Sequence, residues 1–97
     1  MAVIEMTTFR LSGAADIPAF LEIDKRVQQE FIPFEPGFVR RTTARGTNGE
    51  WAVLVMWGSA ADADASAARA PSHPAVTAFA EFVEPGSTET ARYTTLD

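Results

Sequence analysis

The segment Trp51-Ala-Val-Leu-Val-Met-Trp57 restricts the fold more than any other part of the chain, because neither of its alternating faces carries a polar residue. Such a short apolar run, flanked by glycines at positions 49 and 58, reads as a buried β-strand. Trp51, Val53, Val55 and Trp57 form one face, and Ala52, Leu54 and Met56 form the other. Both need shelter from water. A chain of 97 residues has room for one core, so its own helices can cover only one side of this strand.

The flanking sequence supplies the other elements. Val3 to Ser12 is rich in β-branched and aromatic residues and ends before Gly13, which marks a first strand. Asp16 then offers an N-cap and Pro18 suits a first helical turn. Ile17, Phe20, Leu21, Val27 and Phe31 follow at helical spacing, so a helix is expected from Ile17 to about Ile32, ending before Pro33 and Pro36. Phe38 to Arg45 alternates weakly as a second strand. Gly46-Thr-Asn-Gly49 joins it to the third strand, with Asn48-Gly49 suited to a primed hairpin turn.

Ser59 and Asp62 form an S-x-x-D capping signal before an alanine-rich helix that reaches Ala70. Pro71 breaks it. A second helical piece starts at Ser72-His73-Pro74, carries Val76, Phe79, Ala80 and Val83 on one face, and stops at Pro85-Gly86. Thr88 to Leu96, rich in Thr with Tyr93, is expected to be the last strand.

The order strand, helix, strand, strand, helix, strand is that of an α+β, ferredoxin-like βαββαβ domain with an antiparallel sheet, here one domain over residues 1–97. Right-handed crossovers put both helices on one sheet face. At spacings of roughly 4.8 Å between strands and 3.3 Å per residue, four six-residue strands leave a projected face of roughly 400 Å² on the other side. That matches the largest apolar patches usually left on monomers. A second copy, packed sheet to sheet, would cover it, so we expect a homodimer.

Composition narrows the function classes. The absence of cysteine excludes disulfides, thiolate zinc sites and a cysteine nucleophile, and the single histidine, His73, excludes a multi-histidine metal site within one chain. A net charge of -5 repels a phosphate backbone, so no nucleic-acid partner is expected. No segment reads as a signal peptide or a membrane span, and the sequence-based expectation is a soluble, cytoplasmic protein without a membrane partner.

The Pro36-Gly37-Phe38 turn, the strand ending Val55-Met56-Trp57-Gly58-Ser59, the alanine-rich helix and the later His73-Pro74 resemble the dimeric α+β barrel superfamily, and within it the antibiotic biosynthesis monooxygenase-like branch. The resemblance spans nearly the whole chain. It implies two ferredoxin-like subunits joined through their sheets, each with a pocket between sheet and helices. It also implies oxidation of aromatic or quinol-like compounds without a cofactor. Trp57 matches an aromatic residue that several members place beside the pocket. The haem-degrading members pair that residue with a histidine on the following helix and an asparagine on the first strand. In this chain His73 lies beyond the Pro71 break and the first strand has Met6-Thr7-Thr8, which points away from haem.

Four residues are candidates for a site. Trp57 can stack on an aromatic ligand, or serve as core. Tyr93 can orient a carbonyl or donate a proton, or stand at a rim; Arg92 occupies the opposite face of that strand. His73 can act as a general base near neutral pH, or cap its helix. Asp24 borders the apolar stripe of the first helix and can act as a base beside a pocket. Arg40, Arg41 and Arg45 are expected to be solvated charges on an edge strand. Three functions follow: a cofactor-free oxygenase, a non-catalytic homodimeric module binding a small apolar or aromatic ligand, or a domain whose pocket is filled by Phe20, Phe31, Phe79 and Phe82.

Overall fold

The computed structural model describes residues 1–96; Asp97, the last residue of the expected domain, lies outside the described residues. Strand β1 (Val3–Arg10) leads to helix α1 (Ile17–Arg26), β2 (Phe38–Arg45) and β3 (Glu50–Trp57) form a hairpin, and helices α2 (Ala60–Arg69) and α3 (Pro74–Glu81) precede β4 (Glu89–Thr94). The strands form one antiparallel sheet in the order β2-β3-β1-β4, as a ferredoxin-like α+β fold requires.

The expected parity of β3 holds along its length. Trp51 and Trp57 are buried beneath the helices, as are their partners across the sheet, Phe9 and Val3. Ala52, Leu54 and Met56 pair with Thr8, Met6 and Ile4 on the other face. Tyr93, opposite Ile4, shares that face and is 54% exposed. The face carries a shallow hollow of about 220 Å³ floored by Ile4, Leu54 and Met56.

Local chemistry shapes the segments between strands. Asp16 caps α1, its carboxylate accepting from the Ala19 N–H at 3.2 Å. The long first helix expected from the sequence changes pitch after Arg26: a π-helical turn covers Val27–Phe31 and a 3₁₀ turn covers Ile32–Phe34. These changes bring Val27, Phe31 and Ile32 inward together. At the β2–β3 connection only Gly49 has positive φ, and no other residue type in the described chain does. A type I′ turn on Asn48-Gly49 needs positive φ at both residues and a type II′ turn needs it at the first, so the connection is not the primed turn expected there. Arg10 steadies this loop, its Nη1 donating to the Asn48 carbonyl at 2.6 Å.

Gly37 is required for two reasons. Its φ of +79° is costly for other residues, and a Cβ there would overlap the Asp62 carboxylate. Asp62 is fixed by the cap of α2, where Ser59 Oγ donates to Asp62 Oδ2 at 2.8 Å and accepts from the Asp62 N–H at 3.1 Å. The turn before β2 and the start of α2 are thus packed as one unit. None of the helices is long and apolar enough to cross a membrane, among the described residues.

Candidate functional site: a cavity between sheet and helices

Two buried clusters occupy the space between sheet and helices. One contains Val3, Val27, Phe31, Ile32, Trp57, Ala63 and Ala75. The other is aromatic and centres on Phe20, whose ring packs against Trp51 and Phe79 at 5.1 Å and against Phe82 at 5.9 Å. A cavity of about 610 Å³ remains beside these clusters. The strands contribute Thr7, Phe9, Arg41 and Val53, while Phe31 and Phe79 are among the helical side chains that face them. Phe20, Phe31, Phe79 and Phe82 therefore do not fill the space, and its volume lies within the range of small-molecule pockets.

The walls are largely apolar. Their charged members are Arg41 and Glu84, the latter exposed at the α3–β4 loop with Pro85 and Gly86. Thr7 adds a hydroxyl, 3.1 Å from that of Thr90. The Arg41 side chain is only 5% exposed. Its Nη2 donates to Asp24 Oδ1 at 2.8 Å, and the same oxygen accepts from Thr43 Oγ1 at 2.8 Å. The guanidinium carbon lies 6.0 Å from the centre of the Phe79 ring.

A β-bulge explains how Arg41 reaches this position. Phe38 pairs with Trp57, but Arg40 pairs with the next residue back, Met56, so Val39 is the additional residue in β2. Uninterrupted alternation from Phe38 would turn Arg40 toward the helices. The bulge reverses the parity and turns Arg41 and Thr43 inward instead. Arg40 and Arg45 are exposed as expected. The sequence placed Arg41 as a solvated edge charge; the bulge turns it inward instead, and no local sequence signal marks that bulge.

The four residues singled out from the sequence do not converge. Trp57 belongs to the core behind Val27, Phe31 and Ile32, 3% exposed, with its ring 6.0 Å from that of Phe38. Its indole Nε1 is buried and has no hydrogen-bond partner among the described residues. Tyr93 lies on the opposite face of the sheet and does not line this cavity. His73 is the N-cap of α3: Nδ1 accepts from the Ala75 N–H at 3.1 Å, and the ring packs on Phe31 at 5.2 Å. It borders a separate depression of about 360 Å³ with Glu30, Glu35 and Arg69. Asp24 reaches the cavity only through Arg41.

Arg92, the helix-side residue beside Tyr93, is already engaged. Its Nη2 donates to Asp64 at 2.6 Å and to Glu5 at 2.9 Å, joining β4 to α2 and β1. Hydrogen bonds to Asp64 first and then Glu5 hold this guanidinium above its ordinary pKa. It acts as a tie between elements, away from the cavity lining.

Known proteins share this architecture at low sequence identity. No protein-family model matches the chain, and no curated protein sequence matches it. Among solved structures, SnoaB of Streptomyces nogalater, a cofactor-independent oxygenase, superposes with a TM-score of 0.77 at 23% identity, over 99% of this chain and 94% of that one. The monooxygenase ActVA-Orf6 of Streptomyces coelicolor, solved with nanaomycin D, has a TM-score of 0.76 at 20% identity, over 99% and 88%. A Chloroflexus aurantiacus protein proposed to be an antibiotic biosynthesis monooxygenase has a TM-score of 0.71 at 13% identity, over 100% and 95%. The chain has the fold of antibiotic biosynthesis monooxygenase-like proteins.

Proposed function

We propose that the chain is a small-molecule oxygenase that acts on aromatic or quinol-like compounds in the cavity between sheet and helices, without a cofactor. The observation that carries this reading is the cavity itself: about 610 Å³, walled by Phe and Val side chains, in a fold shared with the cofactor-independent oxygenase SnoaB. In this reaction the substrate supplies the electrons. A phenol or its keto tautomer, after loss of a proton, reacts with O₂ at the activated ring carbon; one oxygen becomes a ring carbonyl, the other leaves as water, and the four electrons lost by the ring reduce the O₂. The protein contributes desolvation and orientation.

The same reading includes a homodimer in a soluble, cytoplasmic setting, with residues 1–97 acting as one domain. The open sheet face, with Ile4, Met6, Leu54 and Met56, supports pairing with a second copy, which would put Tyr93 at the interface. The wild type should sediment as a dimer and Leu54→Glu as a monomer, since twofold symmetry would bury two carboxylates together.

A second reading, a non-catalytic binding module, is favoured by one observation: among the described residues no histidine or tyrosine lines the cavity, and Asp24 is held by Arg41 and Thr43. Oxygen uptake separates the two. Aerobic incubation with anthrone- and naphthol-like compounds, with chelator and no flavin, should consume oxygen faster than buffer. Binding without uptake supports the module instead.

A further inference from the structure

Arg41 presents more hydrogen-bonding capacity than its protein partners use. A guanidinium has five N–H donors, and the described residues engage one, on Nη2, through Asp24. The side chain is 95% buried by its 5% exposure, yet it lines the cavity. The buried side-chain donors and acceptors without a partner among the described residues are Trp57 Nε1 and Thr95 Oγ1, so the remaining Arg41 N–H groups are not sealed off and can be reached by an acceptor in the cavity. Asp24 and Thr43 anchor the group from the side of α1 and β2, so it needs little reorganisation to meet a ligand.

On the basis of the cavity reading above, we infer that Arg41 is a subsite for an oxyanion: the ligand is a planar hydroxyaromatic whose phenolate or enolate oxygen accepts from the guanidinium while its ring lies among Phe31, Phe79 and Val53. The charged groups facing that position are Arg41 from β2, Asp24 behind it on α1, and Glu84 at the mouth. Asp24 offsets part of the positive charge, and Glu84 opposes a second negative charge on the ligand. The site therefore suits a monoanion carried on an apolar ring. Asp24 and Thr43 are positioning residues, and Arg41 is the group that touches the ligand. Arg41 would favour the deprotonated form of a hydroxyaromatic, the form that donates electrons to oxygen.

The test uses 7-hydroxycoumarin, whose phenol and phenolate absorb at different wavelengths, and coumarin, which has no hydroxyl. The ionisation midpoint of bound 7-hydroxycoumarin is compared between the wild type and the double variant Asp24→Leu/Arg41→Met, which removes the pair without stranding either charge. The wild-type midpoint should lie lower by about one pH unit, an approximately tenfold shift toward phenolate. Arg41→Lys should recover part of the shift, and coumarin should bind both proteins alike. Equal midpoints with the probe bound to both would overturn the inference and leave the cavity reading intact. No binding of either compound to the wild type would overturn both. If the double variant fails to fold, Arg41→Gln, which keeps a donor to Asp24 without the charge, is judged by the same midpoint.

Discussion

The Asp24 carboxylate lies 2.8 Å from the Arg41 guanidinium, joining the first helix to the edge strand with the two side chains 16% and 5% exposed. Removing one member of such a pair leaves the other charge buried without its partner. Arg41→Met should cost about 3–5 kcal/mol in urea unfolding, while Asp24→Leu/Arg41→Met should cost much less, because both charges then leave together. Equal losses in the single and double variants would show that the pair is not the source of the effect.

Gly37 offers a test of the contact between the β2 turn and α2. Gly37→Ala places a side chain at φ +79° and against the Asp62 carboxylate. A loss of about 1–3 kcal/mol is expected from the backbone conformation, and the overlap adds to it. Gly58→Ala meets only ordinary contacts, the nearest at 3.6 Å, and should change thermal stability far less.

The role of His73 as a cap predicts a particular pattern of substitutions. His73→Ala removes the acceptor for the Ala75 N–H and should cost about 1 kcal/mol, whereas His73→Asn restores a capping oxygen and should recover most of it. The check is chemical denaturation of the three proteins at one pH.

One surface pair predicts a pH effect. The hydrogen bond from Arg26 holds the Glu30 carboxyl below the ordinary glutamate range, against some desolvation. A carboxyl lowered by folding contributes stability above its unfolded pKa and loses that contribution as pH falls through the folded value. In an NMR titration, Arg26→Gln should return Glu30 toward its ordinary midpoint; an unchanged midpoint would assign the lowering to another cause.

Much of the fold was legible because apolar alternation and helix punctuation agree. The two-faced apolarity of Trp51–Trp57 implied helices on one side and an open face on the other, and the parity observed in β3 follows it. Ser59 and Asp62 likewise marked the start of α2 where its cap forms. The site was less legible because it depends on changes of one residue in register. The bulge at Val39 exchanges Arg41 for Arg40, and the π turn at Val27–Phe31 rotates the end of the first helix inward. Neither has a strong local sequence signal. Tyr93 illustrates the limit of face assignment: its separation from Arg92 was readable, but which of the two lies under the helices was settled only by the pairing of β4 with β1.

The most direct measurement of where a ligand binds is methyl NMR during titration with 7-hydroxycoumarin. The methyl groups of Val27, Val53, Val76 and Val83 line the cavity, whereas Ile4 and Leu54 lie on the open face. Saturable shifts concentrated on the four valines are expected. Shifts confined to Ile4 and Leu54, or none at ligand saturation of the solution, would contradict a binding site between the sheet and the helices.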